Sequence, residues 1–392
     1  MIESVRSWYN SAFTNGKYQE YQHRIKQELG EEPHFRLSET PVFVPRDFKN
    51  KLLQACDDLT AFITSPDFYS FSEKAIPSHL RFAGNDKHSQ ILIFDFGVCI
   101  NDQGELEPQL IEMQGFPSLH AFMIYKSSIL RDVFGIPDHL NSYINTDRDT
   151  HIKELGNILL GGHNPEEVIL LDYKPEEQKT RIDFAATKKL YGIESVCVTK
   201  LKRDGKNLMY EKNGKLQKIE RIYNRLIFDE FFDQKIDSID LRQELDVTWA
   251  PHPNWFCRVS KFLLPYIKSK YVPQTTYISE LKSIPDDLSQ YVLKPLYSYA
   301  GMGVKIDVSK KDIESVAEPH EWILQKKVNY YSAIQTLNIP AKVEIRMMLL
   351  WDSPEQKPRV VHNLARMSKG KMIGVRYNAD FDWVGSSICF FE

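Results

Sequence analysis

The chain's 392 residues are 42% hydrophobic and 26% charged, which is enough for a sizeable core and about two to three domains. A net charge of -3 offers no basic excess for nucleic acid or an anionic membrane, so small or medium ligands are the expected partners. Five cysteines, scattered and in no C-x-x-C pair, argue against a disulfide framework and against zinc.

Residues 1–85 read as a helical N-terminal segment. Its start, "MIESVRSWYNSAFTNG", carries early charge and no apolar leader core, and no run approaches the roughly 18 apolar residues of a membrane span. A cytoplasmic protein is the expectation. "PRDFKNKLLQACDDLTAFIT" sets Phe48, Leu52, Leu53, Cys56, Leu59 and Phe62 at helical spacing, a packing face.

The texture changes in residues 86–150. "ILIFDFGVCI", the turn "NDQG" and "LEPQLIEMQGFPS" predict a strand hairpin, and "LHAFMIYKSSILRDVFG" a helix ending on Gly135. Residues 151–250 read as strand "EEVILLDY", a helix opened by Pro175 and closed by Gly192, and strand "IESVCVTKL". That order implies a right-handed βαβ unit in a parallel sheet, Rossmann-like but without a G-x-G-x-x-G dinucleotide fingerprint. Turns follow at Asp204-Gly205 and Asn213-Gly214.

Residues 251–392 begin with a helix carrying Lys261 and an extended "YVPQTTYI". Next come strand, glycine loop and strand in "YVLKPLYSYAGMGVKIDV", then a helix start at Ser309 and Asp312. Strands "EWILQKKV", "KVEIRMMLLW" and "RVVHNLARMS" close the chain. The fold class is α/β in the α+β sense.

Lys294 ends its strand before a loop holding Gly301 and Gly303. Its ammonium suits a phosphate, and glycine lets backbone N–H groups come close to one, although a Gly-x-Gly can equally be a plain turn. In "WILQKKV" the backbone and Gln325, Lys326 and Val328 could read an adenine edge, or the run is an ordinary edge strand. In "LIEMQ" Glu112 and Gln114 share one face. Asp95, alone among apolar residues, needs a partner: either a divalent cation shared with Glu112, or a salt bridge. Glu344 and Arg346 also share a face, as cleft groups or as an internal pair. Arg366 and Arg376 are further candidates for binding phosphate or carboxylate oxygens.

Together these residues resemble the ATP-grasp superfamily in circularly permuted order, over about 90–125 and 165–392. Lys261, Lys294 with its glycine loop, and "LQKKV" run in the usual sequence, while the metal strands with Asp95 and "EMQGFPS" lie far upstream, as in eukaryotic glutathione synthetase and the glutathionylspermidine synthetase domain. The resemblance implies ATP and Mg2+ as cofactors and ligation of a small-molecule carboxylate to an amine through an acyl phosphate. Lys261, Lys294, Ser298, Gly301, Gly303, Gln325, Lys326 and Val328 would bind ATP. Asp95, Glu112, Gln114 and Glu344 would bind metal, and Arg366, Arg346 and Arg376 would steady the transferred group. Three positions depart from the family pattern: Gln114 replaces an asparagine, Ile93 an arginine, and Ser298 a metal-binding glutamate. A nucleotide-binding protein without turnover is the alternative. The oligomeric state is not readable.

Overall fold

The computed structural model describes residues 1–84, 87–236, 238–297, 303–373 and 377–392. Its centre is a five-stranded antiparallel sheet in the order Gly385–Ser387, Arg359–Ser368, Lys342–Leu350, Ile91–Ile100, Leu106–Gln114. The last two strands are the expected hairpin, called here the aspartate strand (Ile91–Ile100) and the glutamate strand (Leu106–Gln114).

Period-2 alternation gives this sheet two faces. On one, Leu92, Phe94, Phe96, Val343, Ile345 and Met347 pack with Phe48, Leu52, Cys56 and Leu59 of helix Arg46–Ile63 in one large core. The helical spacing read from the sequence therefore serves packing. On the other face, Met348 and Leu364 meet Phe122 and Met123 of helix His120–Phe134. That helix ends on Gly135 in the left-handed region, as its sequence predicts.

The second unit is a four-stranded sheet in the order Thr248–Ala250, Arg221–Asn224, Val168–Asp172, Glu194–Cys197, with every pairing parallel. Its helix runs Arg181–Tyr191 and is closed by Gly192. Pro175 opens only a short 3-10 turn, because Gln178 returns to extended backbone before the helix begins.

The third sheet is small, with order Thr275–Tyr277, Trp322–Lys326, Tyr291–Pro295, all antiparallel. Helix Lys310–Glu314 covers its outer face through Leu293, Val308, Ile313 and Leu324, and the capping box of Ser309 and Asp312 forms as predicted. The strand expected after the glycine loop is reduced to one bridge, Leu293 with Lys305. Among the described residues no helix is long and apolar enough to cross a membrane.

Candidate active site

The glutamate strand carries a bulge. Phe96 pairs with Leu110 and Asp95 with Glu112, leaving Ile111 as an extra residue. The Leu110 N–H turns to the carbonyl of Tyr271 at 2.7 Å, and the Ile111 carbonyl accepts from Lys294 Nζ at 3.4 Å. The bulge thus presents backbone to Tyr271 and to Lys294 of the small sheet, while Glu112 and Gln114 line a cavity of about 920 Å³.

Asp95 is buried and holds two guanidinium groups. Arg346 donates to both its oxygens, from Nε and Nη2 at 2.7 Å each, and Arg366 Nη2 donates at 2.7 Å. Arg366 also pairs with Glu344, whose other oxygen accepts from the Tyr330 hydroxyl at 2.7 Å. Burial alone would raise the Asp95 pKa, but Arg346 and Arg366 outweigh it and hold the carboxyl below its usual range. At Glu344 burial wins over Arg366, and its pKa is raised. So the partner that Asp95 needs is a pair of arginines rather than a cation shared with Glu112, and Arg346 bridges strands instead of pairing within its own E-x-R run. Arg346 and Arg366 both line the cavity, the latter with its side chain 38% exposed.

From the other side come the lysines. Lys261 Nζ lies 4.0 Å from Glu112 Oε1. It sits on a 3-10 turn, Lys261–Leu263, and not on a helix: Ser260 is extended and its hydroxyl accepts from the Phe262 N–H, which starts a new turn. Lys294 Nζ donates to Gln325 Oε1 at 2.6 Å, and Gln325 Nε2 donates to Thr275 Oγ1 at 3.1 Å. Burial lowers the Lys294 pKa to about 8, with Glu112 opposing the shift and Lys261 adding to it. Lys261 is lowered for the same first reason, burial.

The remaining expected nucleotide contacts are partly committed within the protein. Gln325 is spent on Lys294 and Thr275, and the Lys326 N–H donates to the Gln274 carbonyl at 2.8 Å. Val328 packs over Gly97. Gly303 has φ +70°, a conformation that favours glycine. Ser298, Gly301 and Arg376 lie outside the described residues.

The sequence reading missed the opposite wall. In the parallel sheet the chain leaves Val168–Asp172 to build a strand on one side and later returns to its other side at Arg221–Asn224. The carboxyl ends of those two strands form a switch point, where α/β sheets bind ligands. There Asp172, Tyr173, Arg225 and Leu226 line the same cavity. Buried Arg225 donates to Asp183 Oδ2 at 2.6 Å and leaves its Nε without a partner among the described residues. Asp183 also accepts from the N–H groups of Leu119 and Phe122, which caps helix His120–Phe134 from another element. Asp172 is pushed up to about 7 by burial, eased by Arg225; Glu230, also on this wall, is raised to about 7 by burial, then by Asp229 and Asp172. The pointer in the sequence was the end of each parallel strand, "LLDY" and "IYNRL".

A magnesium ion fits this donor set only in one way. Among the described residues no three His, Cys, Asp or Glu groups gather around one point, and Asp95 and Glu344 are held by arginines. Glu112 and Gln114 remain on the cavity wall, a carboxylate and an amide oxygen. That suits a magnesium ion arriving on phosphates, which needs one or two carboxylates from the protein.

No protein-family model matches this chain, and no curated protein matches it in sequence. Among solved structures it is similar to a glutathione synthetase-like effector from Globodera pallida in its apo form. The TM-score is 0.59 at 15% sequence identity, over 95% of this chain and 96% of that one. The likeness is one of fold: a mixed α/β, glutathione synthetase-like architecture along nearly the whole length.

Proposed function

We propose that the chain is an ATP-dependent carboxylate–amine ligase with an ATP-grasp fold in circularly permuted order. One observation carries this reading. Glu112 from the central sheet, Lys294 from the small sheet and Lys261 from its 3-10 turn meet beside a cavity whose other walls hold Arg346, Arg366 and Arg225. Five cationic side chains around one cavity suit a polyphosphate and a carboxylate.

In this reading Lys261 and Lys294 neutralise the phosphate chain, which requires Lys294 to exchange Gln325 and the Ile111 carbonyl for phosphate oxygens. Glu112 and Gln114 hold magnesium, which supplies charge neutralisation to the phosphates. Arg225 at the switch point orients the substrate carboxylate, and Arg366 with Arg346 steadies the phosphoryl group passing to it. The carboxylate oxygen takes the γ-phosphoryl group and ADP leaves. An amine then attacks the acyl carbon, forms the amide, loses a proton and expels phosphate. The protein contributes positioning and charge.

Incubation with ATP, magnesium and pooled amino acids, peptides and polyamines is expected to release ADP only when substrate is present. Glu112→Ala should lower that release by about two orders of magnitude with an unchanged melting curve. Full activity in Glu112→Ala overturns the site. A second reading is nucleotide binding without turnover, favoured by the engagement of Asp95 and Glu344 in ion pairs. ATP binding with no ADP release across all pools would select it.

A further inference from the structure

The segment leaving the small sheet crosses the aspartate strand. The Tyr331 N–H donates to the Val98 carbonyl at 2.9 Å, and the Tyr330 ring lies on Gly97. A Cβ at Gly97 would sit 2.9 Å from Tyr330 Cε1, so only glycine leaves room for the ring. Through that gap the Tyr330 hydroxyl reaches Glu344 at 2.7 Å, and Glu344 takes Arg366 on its other oxygen. Arg366 Nη2 is thus shared between Glu344 and Asp95, while its Nε has no partner among the described residues.

We infer that Tyr330 is a positioning residue for Arg366, acting through Glu344. The role given to Arg366 rests on the ligase reading; the mechanical link does not. Glu344 is a buried acid flanked by Asp95, an arrangement that disfavours its charge. The Tyr330 hydrogen bond helps keep it ionised, and an ionised Glu344 keeps the Arg366 guanidinium turned as described. Tyr330 stands four residues beyond Lys326, the end of the small sheet, so the seat of that sheet is mechanically tied to the aim of a cavity arginine.

The test uses the full chain, with MgADP and inorganic phosphate as probes in calorimetry. Tyr330→Phe removes only the hydroxyl. It is expected to weaken phosphate binding in the presence of MgADP by about tenfold, within the range for a hydrogen bond to a charged group, and to leave MgADP affinity within about twofold, since the lysine side is untouched. Glu344→Gln should give the same loss, and the double variant no more than either single one. Gly97→Ala, which displaces the ring but keeps the hydroxyl, should mimic Tyr330→Phe. Wild-type phosphate affinity in Tyr330→Phe, equal weakening of both probes, or additive losses would each overturn the inference. If wild type binds phosphate but not MgADP, the nucleotide reading falls, and a phosphate loss in Tyr330→Phe would still uphold the link.

Discussion

Asp95 sits in the middle of its strand with both oxygens taken by guanidinium groups. Removing its charge leaves buried Arg346 without its carboxylate and Arg366 with Glu344 alone. Asp95→Asn is therefore expected to lose about 3–5 kcal/mol in urea unfolding with no magnesium present. Unchanged stability there would sink the ion-pair account and return Asp95 to the metal. Lys294 gives a pH test. Its pKa is lowered, so below about 8 the free protein carries a buried ammonium, and the free protein gains stability as pH rises from about 8 toward the ordinary lysine range. Phosphate binding needs the charged form, so ATP affinity should fall as pH rises through about 8. Lys294→Arg, which stays charged, should flatten that fall. A wild-type profile already flat across that range removes Lys294 from the phosphate seat. The facing of Glu112 and Gln114 was legible from alternation alone. The partners of Asp95 were not, because Arg346 and Arg366 lie 251 and 271 residues away and no local pattern carries a pairing that distant.

Elements were legible where one period runs unbroken, as in helix Arg46–Ile63, or where turns bound an apolar run, as in the aspartate strand and Val168–Asp172. They were not where a single residue interrupts the run. Ser260 split the helix expected to carry Lys261, and the Ile111 bulge is invisible in a sequence that alternates on both sides of it. These interruptions determine how elements meet. Gly115, just beyond the glutamate strand, donates its N–H to the Val259 carbonyl at 3.2 Å, and a Cβ there would fall 2.5 Å from the Trp255 carbonyl oxygen. Helix Asn254–Arg258, which holds Trp255, leads directly into the turn of Lys261. Gly115→Ala should push strand and turn apart at a cost of about 1–3 kcal/mol in urea unfolding. A variant as stable as wild type would mean the two elements are not held at that contact.

At the scale of the molecule, the mixed α/β class and the parallel unit followed from the order of strands and helices. The adjacency of distant segments did not. The first 85 residues contribute helix Arg46–Ile63 to the central core, and strand Val42–Val44 pairs in parallel with Cys389–Phe391, so this stretch is woven into the body. The central sheet likewise sets the aspartate strand against Lys342–Leu350. During synthesis that has a cost in time. "ILIFDFGVCI" emerges from the ribosome with one flank open, and its neighbour is translated some 240 residues later, roughly 10–50 s at ordinary elongation rates. For that interval the nascent chain exposes an apolar, Pro-free β-segment able to pair with another copy of itself. Dependence on chaperones that shield nascent chains, and a yield that improves when translation is slowed or cooled, follow from the order of the strands.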